Sequence, residues 1–330
     1  MFRVLAVLAL VLAAALPSRA AHADELARIR ADGRLHCTAG LKPGIAYPDG
    51  PGGKWYGLAV DVCRAVATAT LGGPDKIVFH ALPAPNYYAA LRQGGDPLMF
   101  LTTSEILANK LTDAVLPGPA VFFRGQQVAV REDSPIHGLA DLAGKTVCAE
   151  PGTEEQRSLV AWFAGHHLQI NYFPFQEQEE MLDAFQSRIC DAIANDSVRL
   201  AALRADGKRV GMALRILPEM LSVAPVYAVT PGAAGGGDPA WAATVAWVIG
   251  ALQQADQGDG DMHNGMMASL GVVAPELGLD AGWQARVLTA TGNYAAIYRR
   301  NVGADSALQL DPGMNAASTQ GGLFVPPHAE

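Results

Sequence analysis

The feature that most constrains this chain is an alternation of strand and helix patterns that runs through it twice. In the first run, "RLHCTAG", "KIVFHAL" and "DPLMFLTT" have the length and apolar character of buried strands. Between them lie the amphipathic helix "LAVDVCRAVATATLG", closed by Gly72 and Gly73, and a shorter helix, "NYYAALRQGG". The second run repeats the plan with "GQQVAVRED", "GLADLAG", "KTVCAEPGTEEQ", "INYFPFQ", "EEMLDAFQSRI" and "CDAIANDSVRLAALRA". Such alternation implies largely parallel strands covered by helices on both faces. Two similar units in one chain describe a bilobal α/β clamp: two mixed sheets flanked by helices, with a hinge between the lobes. The expected boundaries are 24–125 for the first part of lobe I, 126–224 for lobe II and 225–330 for a return to lobe I. The return is helical, in "PAWAATVAWVIGALQQA" and "WQARVLTATGNYAAIYRRN", which have no strands of their own to cover.

The chain opens with an export leader. Arg3 precedes an apolar run from Val4 to Leu16, and small residues frame a cleavage point at Ala21-His22-Ala23, the layout of a signal peptide. The run falls short of the roughly 20 residues of a membrane span, so the expected product is a periplasmic chain beginning at Asp24, with no membrane insertion. Losing Arg3 and Arg19 leaves 22 basic residues against 32 acidic ones, a net charge of −10. That surface repels nucleic acid and anionic lipid.

Cys37, Cys63, Cys148 and Cys190 follow the leader, and an even number in an oxidising compartment suggests two disulfides. Three pairings are open. Cys37 ends a strand on which the helix carrying Cys63 should pack, and Cys148 and Cys190 lie in the strands of the second unit. Cys37–Cys63 and Cys148–Cys190 are therefore expected, one bridge per lobe. A zinc site would need a CxxC pair or a nearby histidine cluster, and no metal or other cofactor is expected.

Ligands of open α/β sheets sit at the carboxyl ends of the strands. The positions to inspect are Tyr47, Thr102, Thr103, Gly152, Thr153, Asn195 and Asp196. No GxSxG, HExxH or phosphate-binding loop is present, which argues against an enzyme. The acidic run "QADQGDGDMHNG" misses the spacing of a calcium loop. Several of these residues also have a purely structural use. Thr102 or Thr103 can cap the following helix, with Thr103 and Glu105 too close for a proper capping box, and Asp196 can cap "SVRLAAL".

The phrases "GLAVDVCRAVATATLG", "AALRQGGD", "KTVCAEPGTEE", "CDAIANDSVRLAAL", "ILPE" and "GNYAAIYRRNVG" occur in an order that resembles the periplasmic amino-acid-binding proteins of ABC importers, in their branch of broad L-amino-acid range. The likeness runs from about Leu35 to Pro327 and includes all four cysteines. It implies a monomer that closes on a small-molecule solute and presents it to an inner-membrane ABC permease. It also implies that Asp196 takes the solute ammonium, and that Gly152 and Thr153 take its carboxylate.

The first lobe departs from that pattern. The family's carboxylate-binding arginine falls on Ala108, followed by Asn109 and Lys110. The strand before it reads Met99-Phe100-Leu101, and an aromatic residue of the first loop is replaced by Ile45, with Tyr47 two places on. Three explanations stay open. Lys110, or Arg124 where relatives tend to carry an acid, supplies the missing charge. Alternatively, the site has been remodelled for an amine or a less polar solute held by Asp196 and Glu105. As a third possibility, the chain is an accessory protein of a quinoprotein-type dehydrogenase system. A site without the guanidinium is expected to bind common L-amino acids weakly.

Overall fold

The computed structural model describes residues 24–82, 86, 96–210, 212–257 and 275–325. The leader over 1–23, nearly all of the helix expected over 86–95 and most of the acidic run over 254–265 lie outside the described residues.

The first half is built from strands β1 (Leu35–Ala39), β4 (Ile77–Ala81) and β5 (Leu98–Thr102), with helices α1 (Glu25–Asp32), α2 (Leu58–Leu71) and α3 (Thr103–Ala108). Within the Gly/Pro-rich loop after β1, a small hairpin joins β2 (Tyr47–Pro48) to β3 (Trp55–Tyr56). Gly72 ends α2 at φ +80°, a left-handed backbone that glycine adopts without a steric cost. Strand β6 (Val115–Arg131) then crosses into the second half. That half contains β7 (Thr146–Ala149), α4 (Glu154–Gly165), β8 (Asn171–Pro174), α5 (Gln178–Gln186), β9 (Ala192–Asp196), α6 (Ser197–Val210) and β10 (Leu214–Ile216). "GLADLAG" forms only a 3-10 turn, Leu139–Leu142. The chain returns along β11 (Ser222–Pro231) and continues in α7 (Pro239–Gln254), α8 (Trp283–Thr291) and α9 (Tyr294–Asn301). The last two divide one expected helical stretch, because Gly292 turns at φ +75° and Asn293 caps the next helix by accepting a bond from the Ala296 N–H at 3.0 Å.

Hydrogen bonding joins all the main strands into one sheet of order β4-β1-β5-β11-β6-β9-β7-β8, with β10 beside β6. It is one sheet rather than two because β6 and β11, with 17 and 10 residues, are long enough to serve both halves. Strand β1 is parallel to β4 and β5, and β7 is parallel to β8 and β9. Strand β11 is antiparallel to both β5 and β6, and β6 is antiparallel to β9. Strands β5 and β9 therefore run in opposite directions, and their carboxyl ends approach the same stretch of β6. Thr102 pairs with Val226, which pairs with Phe122 on β6, while Asp196 pairs with Gln126 on β6. Four residues separate the two levels, about 13 Å at the usual strand rise. The expected divides at 125/126 and 224/225 fall inside this stretch of β6 and β11.

Period-two alternation explains the cores. In β6, Val128 and Val130 pack with Leu159 and Phe163 of α4 on one face, while Ala129 joins Met181, Phe185 and Leu200 of α5 and α6 on the other. Ala192 and Ala194 share the α4 face, and Ile193 the opposite one. In the first half, α2 is almost wholly enclosed, packed against β1, α7, α8 and α9, with Trp241 and Trp283 at 1% and 0% exposure. The C-terminal segment after α9 runs along β6. There the Asn315 amide takes a bond from the Phe123 N–H (2.6 Å) and gives one to the Phe123 carbonyl (2.9 Å). Arg204 of α6 donates to the carbonyl of Leu308 at 2.7 Å, tying the same segment to the second half.

The disulfides pair Cys37 with Cys63 and Cys148 with Cys190. The first links β1 to α2 and the second links β7 to the residues that lead into β9. Replacing Cys148 and Cys190 together by alanine is expected to lower stability by about 2–4 kcal/mol, seen as a lower urea midpoint, with a steeper slope as the unfolded chain loses its cross-link.

Candidate functional site

Strand parity carries three polar residues beyond the end of the apolar α4 face. Arg124 and Gln126 precede Val128 on β6, and Asp196 follows Ala194 on β9, all in the same alternation. They lie where β9 meets β6, at the amino end of α4. From the first half the tip of β5 supplies Phe100 and Thr102, and the chain leaving β1 supplies Gly40, Lys42 and Ile45. Together with Arg124, Asp196, Ala39, Glu105, Phe122, Val198 and Val226, these residues line a hollow of about 30 Å³, room for only a few waters.

The centre of the hollow is an ion pair. The Arg124 Nε lies 2.8 Å from Asp196 Oδ2, with side-chain exposures of 12% and 8%, and the other end of the guanidinium lies 4.0 Å from Glu154 on the first turn of α4. The N–H of Arg124 is not aimed along that contact, however. Neither Nε nor Oδ2 has a hydrogen-bond partner among the described residues. The two groups therefore neutralise each other's charge without the planar, two-pronged match that an arginine can make to a carboxylate. Asp196 Oδ1 is already engaged, accepting the Val198 N–H at 3.0 Å as a cap of α6. Beside the pair, both amide atoms of the buried Gln126 are also without partners among the described residues.

The first-half wall is committed to a helix cap. Thr102, not Thr103, is the N-cap of α3: its hydroxyl accepts the Glu105 N–H at 3.2 Å, and Glu105 Oε2 accepts the Thr102 N–H at 2.7 Å. This is a full capping box, and it also receives the Thr102 hydroxyl proton at 2.9 Å. The Glu105 carboxylate is thus held at the helix start.

Of the residues expected in the site, Phe100, Thr102, Glu105, Arg124 and Asp196 are brought together in this hollow. The other five do not line it. Thr103 is exposed on the first turn of α3. Lys110 is exposed at the left-handed turn (φ +54°) that follows that six-residue helix. Thr153 is the N-cap of α4, accepting from the Gln156 N–H at 3.3 Å and donating to the Glu150 carbonyl at 2.7 Å. Gly152, at φ +75°, makes the turn into that cap and donates its N–H to the Gln156 side chain. Tyr47 stands on the β2–β3 hairpin against Tyr56, ring centres 6.1 Å apart, and borders a different surface hollow with Leu41, Arg199 and Leu308.

Lys42 is the functional candidate that sequence reasoning missed. It lines the hollow half-buried, and no ion-pair partner for it is found among the described residues. The available signal was its place as the first cation after the carboxyl end of β1. No group of three or more histidine, cysteine or acidic side chains that could hold a metal is found among the described residues.

Comparison with known proteins places this geometry. No family model matches the chain. It is 30% identical to the general L-amino acid-binding periplasmic protein AapJ of Rhizobium johnstonii, over 95% of both chains. It is 29% identical to the glutamate/glutamine/aspartate/asparagine-binding protein BztA of Rhodobacter capsulatus, over 95% of this chain and 96% of that one. A solved structure from Brucella ovis, an ABC transporter periplasmic binding protein with glutathione bound, superposes with a TM-score of 0.71 at 28% identity. That match covers 93% of this chain and 99% of the other. The shared sequence over nearly the full length, and a sheet whose two sets of strand ends meet at one hollow, lead to one conclusion: the chain belongs to the periplasmic amino-acid-binding proteins of ABC importers.

Proposed function

We propose that the chain captures an amino-acid-like solute in the hollow between its two halves and delivers it to an inner-membrane permease. Asp196 takes the solute ammonium, while Arg124 and Lys42 take its carboxylate. Phe100, Phe122 and Ile45 face the rest of the molecule. The observation that carries this reading is the contact of Asp196 with Arg124, in a hollow also lined by Lys42, where the ends of β5 and β9 converge. It also weighs against a simple amine held by Asp196 and Glu105, since Glu105 is engaged in the α3 cap and an amine would take from Arg124 its nearer counter-charge, leaving Glu154 at 4.0 Å. The solutes named for AapJ and BztA, and the glutathione in the Brucella ovis protein, all carry both an ammonium and a carboxylate, which supports the same class.

The hollow is too small for such a solute in the arrangement described, so capture involves a clamp motion. Residues 24–125 with 225–330 form one lobe and 126–224 the other. Only a solute that contacts both lobes favours the shut form. Catalysis has no part in this reading, which the relatives' description as binding proteins supports. The same small volume favours a second reading, an accessory protein of a quinoprotein-type dehydrogenase system that no longer carries solutes.

Three measurements test these statements. A thermal-shift screen of the mature chain with the L-amino acids and glutathione is expected to find a stabilising zwitterion, with about 2.7 kcal/mol of stabilisation at a hundredfold excess over Kd. Asp196→Ala should abolish that stabilisation; unchanged affinity in calorimetry removes Asp196 from the site, and a screen without any hit favours the accessory role. The leader is read as cleaved after Ala23, and the intact mass of the protein from a periplasmic extract should correspond to a chain that starts at Asp24.

A further inference from the structure

We propose that Arg124 is the chain's own occupant of the ammonium position, so that the hollow admits a solute only when it carries a cation for Asp196 and an anion for Arg124 together. This rests on the hollow being the solute site.

Four observations lead there. The guanidinium already stands 2.8 Å from Asp196 Oδ2, the place a solute ammonium would take. Asp196 Oδ1 already accepts the Val198 N–H, so Oδ2 is the oxygen on which an incoming cation and Arg124 converge. The contact is poorly directed, with Nε and Oδ2 both lacking a hydrogen-bond partner among the described residues. It is therefore an exchangeable pairing rather than a structural lock. Finally, both side chains are about nine-tenths buried, where removing one member of a pair leaves the other as an uncompensated charge.

Selectivity follows from that last point. An amine that displaces Arg124 leaves a buried guanidinium with, among the described residues, only Glu154, at 4.0 Å, in ion-pair range. A carboxylate that draws Arg124 away leaves Asp196 bare. A zwitterion exchanges both partners at once, and each charge in the hollow keeps an opposite. Arg124 is on this account a specificity-determining residue, rejecting half-matched solutes by the cost of what they leave unpaired.

The test uses the mature chain, its Arg124→Ala variant and the double variant Arg124→Ala/Asp196→Asn, titrated calorimetrically with ethylammonium and ethylguanidinium chloride. Arg124→Ala should bind one of these cations at least about tenfold more tightly than the unaltered chain, the effect of a single charge-assisted hydrogen bond. The double variant should lose that gain. Equal affinity of the single variant and the unaltered chain overturns the proposal, as does the absence of measurable binding to Arg124→Ala. Should Arg124→Ala not fold, Arg124→Gln removes the charge at nearly the same length and is judged by the same outcomes. The amino-acid screen separates the two levels: zwitterion binding without a cation gain in the variant sinks this inference alone. A cation gain in the variant with no zwitterion bound by the unaltered chain sinks the solute reading instead.

Discussion

The antiparallel pairing of β6 with β11 is the constraint on which the rest of the molecule depends. Because these strands continue through both halves, the parallel strands on either side have to dock on them from opposite ends. That geometry alone brings the carboxyl tips of β5 and β9 to the same stretch of β6, four residues apart, with a hollow between them. The C-terminal segment reinforces the crossing from another direction. Asn315 brackets the backbone of Phe123, next to Arg124, and Arg204 holds the segment to α6.

Within the hollow the controlling fact is electrostatic. A carboxylate and a guanidinium lined by Phe100, Phe122, Ile45 and Val226 are about nine-tenths withdrawn from water, so removing either leaves the other poorly compensated. The same pairing would make the proposed site demanding toward solutes. Thr102 and Glu105 on the facing wall have a different character, because their polar atoms already satisfy one another in a helix cap. A solute that approaches them must share those atoms or displace a bond.

Much of this was legible in the sequence, for identifiable reasons. The alternation of apolar strands with amphipathic helices located nearly every described element, and the positions of the cysteines on adjacent elements indicated both bridges. Strand β6 was read too short, starting at Gly125, because Pro117, Gly118 and Pro119 resemble a loop. In the fold that stretch is strand, and the register against β11 shifts near it. The error hid the alternation that sets Arg124 in line with Gln126 and Val128, and with it the approach of Arg124 to Asp196. Tyr47 was expected at a strand tip, but the Gly/Pro-rich loop folds back as a hairpin and keeps its side chain with Tyr56. Lys42 was missed because its one signal, being the first cation after the carboxyl end of β1, does not by itself distinguish a lysine that lines a hollow from one in solvent.

The two disulfides have a consequence for how the molecule fails. Each bridge closes a loop inside one half, spanning 26 and 42 positions, and neither crosses β6 or β11. A reductant that opens one bridge therefore loosens the unit around it and leaves the neighbouring unit's cross-link intact. Redox damage is compartmentalised, and covalent bonding toughens each half without fastening one to the other.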